Sequence, residues 1–190
     1  MARGGEYASD ETTEGNLRKV SRWLTSQDTK PMLMLYGGVG NGKTTMARAV
    51  ISLSKAVRDA YEEESRKATD RKRSDTLFVA ATAVLVPSMW TAQDIANLAG
   101  RRREEYEAVS ARPFLIVDDL GCEPAVVKSY GTEVTPITEL IYRRYDTMSP
   151  TIVTTNLSKP GIRSMYGDRV ADRFNEVFET IGYTGGSFRR

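Results

Sequence analysis

The chemistry most sharply encoded in this chain lies in one run of consecutive residues, Gly37-Gly38-Val39-Gly40-Asn41-Gly42-Lys43-Thr44. Glycines spaced as G-x-x-x-x-G-K-[ST] let successive backbone N–H groups turn inward around an anion, at a point where a helix N-terminus adds its dipole. The chemistry is phosphate binding. Lys43 would reach the β- and γ-phosphates of a nucleoside triphosphate, and Thr44 would offer its hydroxyl to magnesium, a hard ion that takes few protein oxygens. The expected ligands are ATP and Mg2+, and the expected cradle is Gly37, Gly38, Val39, Gly40, Asn41, Gly42, Lys43, Thr44 and the adjoining Thr45.

A phosphate loop of this kind needs a second magnesium contact and a group that acts on the attacking water. Phe114-Leu115-Ile116-Val117-Asp118-Asp119 is an apolar run ending in two carboxylates, which suits both tasks. Asp118 is the expected metal residue and Asp119 the one that polarises water. The plainer alternative is a pair of aspartates closing a strand in a turn. Glu123 is a nearby substitute for the second carboxylate, and Cys122 reads as a small buried filler rather than a reactive thiol. Arg101, Arg102 and Arg103 could bind a single-stranded nucleic-acid backbone, with the salt dependence of phosphate neutralisation. Because Glu104, Glu105 and Glu107 follow at once, an exposed helix with internal ion pairs explains the same letters.

The elements around these residues follow from periodicity and punctuation. A strand over 32–36 leads into the glycine loop, and apolar residues at helical spacing (Met46, Val50, Leu53, Val57, Tyr61) predict a long helix after it. Residues 62–75, rich in both charges, read as a solvated helix end and loop. A buried strand is expected near 84–89, helices over 92–98 and 101–109, a strand over 114–117 and a loop over 121–134. Then come a helix opened by Pro136, a strand over 151–155, helices after Pro160 and from Asp168, and a last strand over 178–183. Strands alternating with helices imply an α/β fold with a parallel sheet covered on both faces. A short helix over 14–24 should place Trp23 in the core or near a bound base, the core being the better reading.

Composition sets the outer limits. The 190 residues, 40% of them apolar, suit one α/β domain. The expected organisation is a polar tail over 1–14 and one ATPase domain over 15–190. With 27 basic and 25 acidic residues the net charge is only +2, so no global field marks a nucleic-acid binder. The absence of histidine excludes imidazole catalysis, and the single cysteine excludes an internal disulfide. No signal-peptide core or membrane-length apolar run is present, and the expected location is the cytoplasm, with no membrane partner.

Taken together, the glycine loop, Val117-Asp118-Asp119-Leu120-Gly121, Thr154-Thr155-Asn156, and Gly167-Asp168-Arg169-Val170-Ala171-Asp172-Arg173-Phe174 resemble the AAA+ ATPases of the DnaC-type helicase loaders and IstB-type transposition ATPases. The resemblance implies a P-loop NTPase of AAA+ type with a five-stranded parallel sheet of order 5-1-4-3-2. In its terms the glycine loop is Walker A, Asp118-Asp119 is Walker B, and Asn156 is the first sensor, which helps hold the water. Arg173 stands in the place of the arginine finger, with Arg169 one turn earlier on the same face. The catalytic set so implied is Lys43, Asp119, Asn156, Arg173 and Arg169. The usual Asp-Glu of Walker B is Asp-Asp here, a shorter reach that would slow turnover. The chain ends shortly after its last expected strand and begins shortly before its first. A lidless core without the separate N-terminal helicase-binding domain is therefore expected. The implied function is ATP hydrolysis in loading a replicative helicase on single-stranded DNA, with self-association. The alternatives are an IstB-type transposition accessory and a nucleotide-gated binding module with little hydrolysis.

Overall fold

The computed structural model describes residues 11–184. In chain order its elements are α1 (Glu11–Thr25), β1 (Met32–Gly37), α2 (Lys43–Lys67), α3 (Arg71–Ala83), β2 (Ser88–Thr91), α4 (Ala92–Arg101), α5 (Arg103–Ser110) and β3 (Leu115–Leu120). There follow β4 (Val127–Ser129), β5 (Thr132–Val134), α6 (Pro136–Asp146), β6 (Thr151–Thr155), α7 (Lys159–Tyr166), α8 (Asp168–Val177) and β7 (Phe178–Tyr183). Between successive strands of the main sheet, helices carry the chain back to the end where it started, so neighbouring strands pair in parallel. The five-stranded sheet runs β2-β3-β6-β1-β7. Numbering only these strands and reading from the β7 edge gives the expected order 5-1-4-3-2.

Burial on both faces accounts for the unbroken apolar run of β1. Met32 and Met34 face one layer with Ile95, Leu98, Val117, Leu140, Val153 and Phe174, beneath α4 to α8. Leu33 and Leu35 alternate to the opposite layer, where Val20, Trp23, Met46, Val50, Ile116 and Ile152 pack beneath α1 and α2. Trp23 belongs to that core: its ring lies 6.0 Å from that of Phe114, and its indole N–H donates to the Lys30 carbonyl at 2.8 Å. At the opposite end of the strands from the glycine loop, Arg144 is 1% exposed. Its guanidinium donates to Thr151 Oγ1 and to the carbonyls of Ser110, Arg112 and Pro150. Burial pushes its pKa down to about 10.

The buried strand expected near 84–89 forms at 88–91 and is half-buried, because β2 is an edge of the sheet. Three further expectations change. The charged stretch 62–75 is mostly helical, because its Glu, Arg and Lys residues are good helix formers that pair at i,i+4, as in Arg66 with Glu62 and Lys67 with Glu63. Only 68–70 turn the chain, with Asp70 capping α3 and Ser65 and Ser74 exchanging hydroxyl bonds across the helix pair. Second, only the first part of the long apolar stripe on α2 is buried. A helix of 25 residues is about 37 Å long and outruns a sheet of short strands, leaving Leu53, Val57 and Tyr61 exposed. Third, 121–134 is not a simple loop: β4 and β5 form an antiparallel hairpin. Its Tyr130-Gly131 turn has φ of 51° and 86°, the primed geometry that matches strand twist. The first helix starts at Glu11, and residues 1–10 of the expected tail lie outside the described residues. No helix among the described residues is long and apolar enough to cross a membrane.

Candidate active site

The glycine loop leaves β1 where the backbone of β7 passes closest. Gly37 has φ 145°, and a Cβ there would lie 2.2 Å from the Tyr183 carbonyl oxygen. Only glycine fits at that crossing. Asn41, buried inside the loop, donates from Nδ2 to the same carbonyl at 2.7 Å, so the loop is tied to β7 at two points. Gly42 closes the loop in the left-handed region with φ 88° and starts α2. Val39, 61% exposed, forms the crest. The first turn of α2 therefore presents its backbone N–H groups toward the loop's interior, as an anion requires.

Lys43 is 6% exposed, and its ammonium donates to Gly37 O at 2.9 Å, Gly38 O at 2.6 Å and Asn156 Oδ1 at 2.9 Å. That last bond joins the loop to the end of β6. Thr44 Oγ1 donates to Asp118 Oδ1 at 2.9 Å, and the Thr154 hydroxyl donates to the same oxygen at 2.5 Å. Residues from the loop, β3 and β6 thus meet at one carboxylate. Among the described residues no cluster of three carboxylate or thiolate ligands could hold a metal. The hydroxyl–carboxylate pair Thr44 and Asp118 is an oxygen-only donor set with few protein ligands, which fits magnesium. The lysine and the helix N-terminus fit a phosphate chain. A cleft of about 410 Å³ lined by Arg48, Met89, Trp90, Thr91, Asp94 and Asp118 opens beside this carboxylate.

The two aspartates part company because β3 is irregular. Its pairing with β6 shifts register between Val117 and Leu120, and Asp119 has φ 54°. Bulges of this kind recur beside active sites, and aspartate tolerates the left-handed region better than most residues. Asp118 is consequently buried at 5% exposure while Asp119 turns to solvent. The Asp119 N–H donates to Thr154 Oγ1 at 3.0 Å, and the Thr155 hydroxyl donates to Leu120 O at 2.6 Å, so β6 holds the irregular turn. Thr154 was legible as part of a motif but not as the clamp it is. Cys122 is exposed rather than a buried filler; partial burial, helped by Asp119, Glu123 and Asp118, pushes its thiol pKa up.

The arginines separate by environment. Arg173 lies over the rings of Tyr142 at 4.2 Å and Tyr145 at 4.9 Å, and Tyr145 donates its hydroxyl to Glu176. Asp172 pairs with Arg163 at 3.2 Å, so neither acidic neighbour on α8 holds Arg173. Arg169, one turn earlier, is exposed, and its side chain makes no ion pair or hydrogen bond among the described residues. The triplet 101–103 divides likewise. Arg103 is bound to Glu107 at 2.7 Å and Glu139 at 3.0 Å and sits over Tyr106; Arg102 pairs with Glu105 at 3.1 Å. Arg101 is exposed without an ion pair among the described residues. Next to it, a Cβ on Gly100 would lie 3.3 Å from Lys128 O, so the β4–β5 hairpin packs on the end of α4. The hairpin tip carries Tyr130, 92% exposed, whose Tyr-Gly pair was the only sequence signal for it.

No protein-family model matches the chain, and no curated protein matches it in sequence. Solved structures do match in shape. The DnaC helicase loader aligns with a TM-score of 0.60 at 18% identity, covering 94% of this chain and 93% of that one. DnaI aligns with a TM-score of 0.60 at 16% identity, covering 98% and 88%. AMPPCP-bound DnaA from Aquifex aeolicus aligns with a TM-score of 0.50 at 18% identity, covering 92% of this chain and 48% of that one. At these identities the likeness is one of fold, and the chain has the AAA+ P-loop NTPase fold that its own motifs resemble.

Proposed function

We propose that this chain binds ATP with magnesium, hydrolyses it, and acts as a helicase loader on single-stranded DNA. The observation that carries the ATPase reading is the convergence on one carboxylate: Thr44 and Thr154 both donate to Asp118, while Lys43 bonds Asn156 beside them. Lys43 neutralises phosphate oxygens, and Thr44 with Asp118 holds the metal. When bound, magnesium supplies positive charge against the β- and γ-phosphates. Asp119, exposed at the rim, orients and polarises the water whose oxygen bonds to the γ-phosphorus as the bond to the leaving ADP oxygen breaks; Asn156 helps place that water. The AMPPCP carried by the DnaA neighbour supports the nucleotide, and the likeness to DnaC, a helicase loader, supports the process.

Charge that develops in the transition state is met by an arginine of a second copy on α8, which calls for self-association. Arg169 can reach a neighbour directly, whereas Arg173 must first leave its tyrosines. Arg169→Ala and Arg173→Ala should each retain ATP affinity, and the variant that removes the finger should lose on the order of a thousandfold in turnover. Mixing that variant with excess Lys43→Ala should restore part of the activity, since a mixed interface joins an intact loop to an intact arginine. Parent-rate hydrolysis by both variants under assembling conditions would refute a finger on α8.

Single-stranded DNA fits the corner where Arg101, without an ion pair among the described residues, follows Gly100 beneath the hairpin bearing Tyr130. Phosphate neutralisation plus base stacking is the combination such strands require. Arg101→Ala should reduce the slope of log affinity against log salt by about 1, and Tyr130→Ala should weaken binding about tenfold with the slope intact. Arg103→Ala should leave the slope unchanged, because its charge is already spent within the fold. Fluorescence anisotropy with a labelled oligonucleotide reads all three; parent-like binding by both of the first two variants would exclude this corner.

A further inference from the structure

Glu123 is 4% exposed, yet it makes no ion pair among the described residues. Both of its oxygens are instead engaged: Oε2 accepts the Gly121 N–H at 2.9 Å, and Oε1 accepts the Tyr166 hydroxyl in a short bond. A buried carboxylate without a cation is costly, and an apolar side chain would pack as well. What the carboxylate adds is a bond at each end. One end is the turn that carries Asp119, where φ is positive at Asp119 and Gly121 and the Cys122 N–H returns to Asp119 O at 3.2 Å. The same turn is pressed against the residue after Asn156, since a Cβ on Gly121 would lie 2.5 Å from Leu157 Cδ1. The other end is Tyr166, the last residue of α7. Burial, and then its bond to Glu123, push the Tyr166 pKa up, so the phenol remains a donor. Directly after it, Gly167 at φ 85° turns the chain into α8, with Arg169 and Arg173.

We infer that Glu123 and Tyr166 form a strut that transmits nucleotide occupancy from the Asp119 turn to the arginine-bearing helix α8. Glu123 is accordingly a positioning residue and not a substitute acid. The contacts run without a gap from Thr44 through Asp118 and Thr154 to the Asp119 N–H, and from the same turn through Glu123 and Tyr166 to Gly167. This rests on the ATPase reading for its ligand.

The measurement is hydrogen–deuterium exchange on the full chain, with and without AMPPCP and magnesium, in the parent and in Tyr166→Phe. That variant removes one hydroxyl and keeps the ring's packing. In the parent, nucleotide should slow exchange both in 119–123 and in 168–177. In Tyr166→Phe, exchange of 119–123 without nucleotide should rise severalfold and the response of 168–177 should disappear, while nucleotide affinity stays within about twofold of the parent. Turnover should fall by up to about a hundredfold with KM unchanged, the penalty of a small misplacement. Glu123→Gln should add little to Tyr166→Phe, because a strut broken at one end transmits nothing more to lose at the other. An α8 response that persists in Tyr166→Phe, or is absent from the parent with nucleotide bound, overturns the inference. So does a Glu123→Gln loss that is undiminished in the Tyr166→Phe background, which would make Glu123 an acid in its own right. If the parent binds no nucleotide, the ATPase reading fails, and the strut is judged by exchange of 119–123 alone: unchanged exchange there rejects it.

Discussion

Lys43→Ala is expected to abolish measurable ATP binding while leaving the secondary structure of the parent intact. The buried ammonium donates to two loop carbonyls and to Asn156 Oδ1, polar contacts that a bound phosphate chain would replace. Removing it deletes two charge-assisted contacts to phosphate, about 3 kcal/mol or more together, so affinity should fall by about a hundredfold or more. Titration calorimetry with ATP and magnesium reads the affinity, and circular dichroism checks the fold. The carbonyls it leaves behind lie at the loop surface, where water can serve them, so the cost to stability should be modest. Equal affinity in mutant and parent would remove the basis for every role assigned around Asp118.

The second large effect separates the two aspartates. Asp118→Asn should weaken binding in magnesium far more than binding in its absence, because the amide keeps the acceptor for Thr44 and Thr154 but loses the charge proposed to hold the metal. Asp119→Asn should bind ATP like the parent and hydrolyse it on the order of a hundredfold or more slowly, since this is the carboxylate proposed to act on the water. Asparagine also tolerates φ 54°, so a loss of turnover cannot be assigned to backbone strain, as it could be for alanine. A phosphate-release assay on the two variants decides the assignment, and parent-rate hydrolysis by Asp119→Asn would defeat it. The same variant tests the wider role. Held in its ATP state, it should capture a hexameric helicase and single-stranded DNA; capture of a transposase with duplex DNA would favour transposition. ATP affinity without turnover in the parent itself would leave a nucleotide-gated binding module.

What the residues determined on their own is local. The glycine loop was legible because the chemistry expected of it needs glycines, a lysine and a hydroxyl at fixed spacing along one turn of chain, and that spacing survives in the letters. The parallel sheet followed from alternating strands and helices, its order came only with the family resemblance, and β6 could be bounded from its own residues. Folding decided the division of labour among neighbours in sequence. Asp118 and Asp119 differ because β3 leaves its regular pairing with β6 between Val117 and Leu120 and Asp119 turns into the left-handed region, and that pairing partner lies far along the chain. Arg103 differs from Arg101 and Arg102 because Glu139 of α6 reaches it. Arg173 is held by tyrosines of α6, and Glu123 by Tyr166, contacts between residues that no periodicity links. A side chain's chemistry is its own, but its charge, exposure and direction are set by what packs against it, and those partners come from elsewhere in the chain.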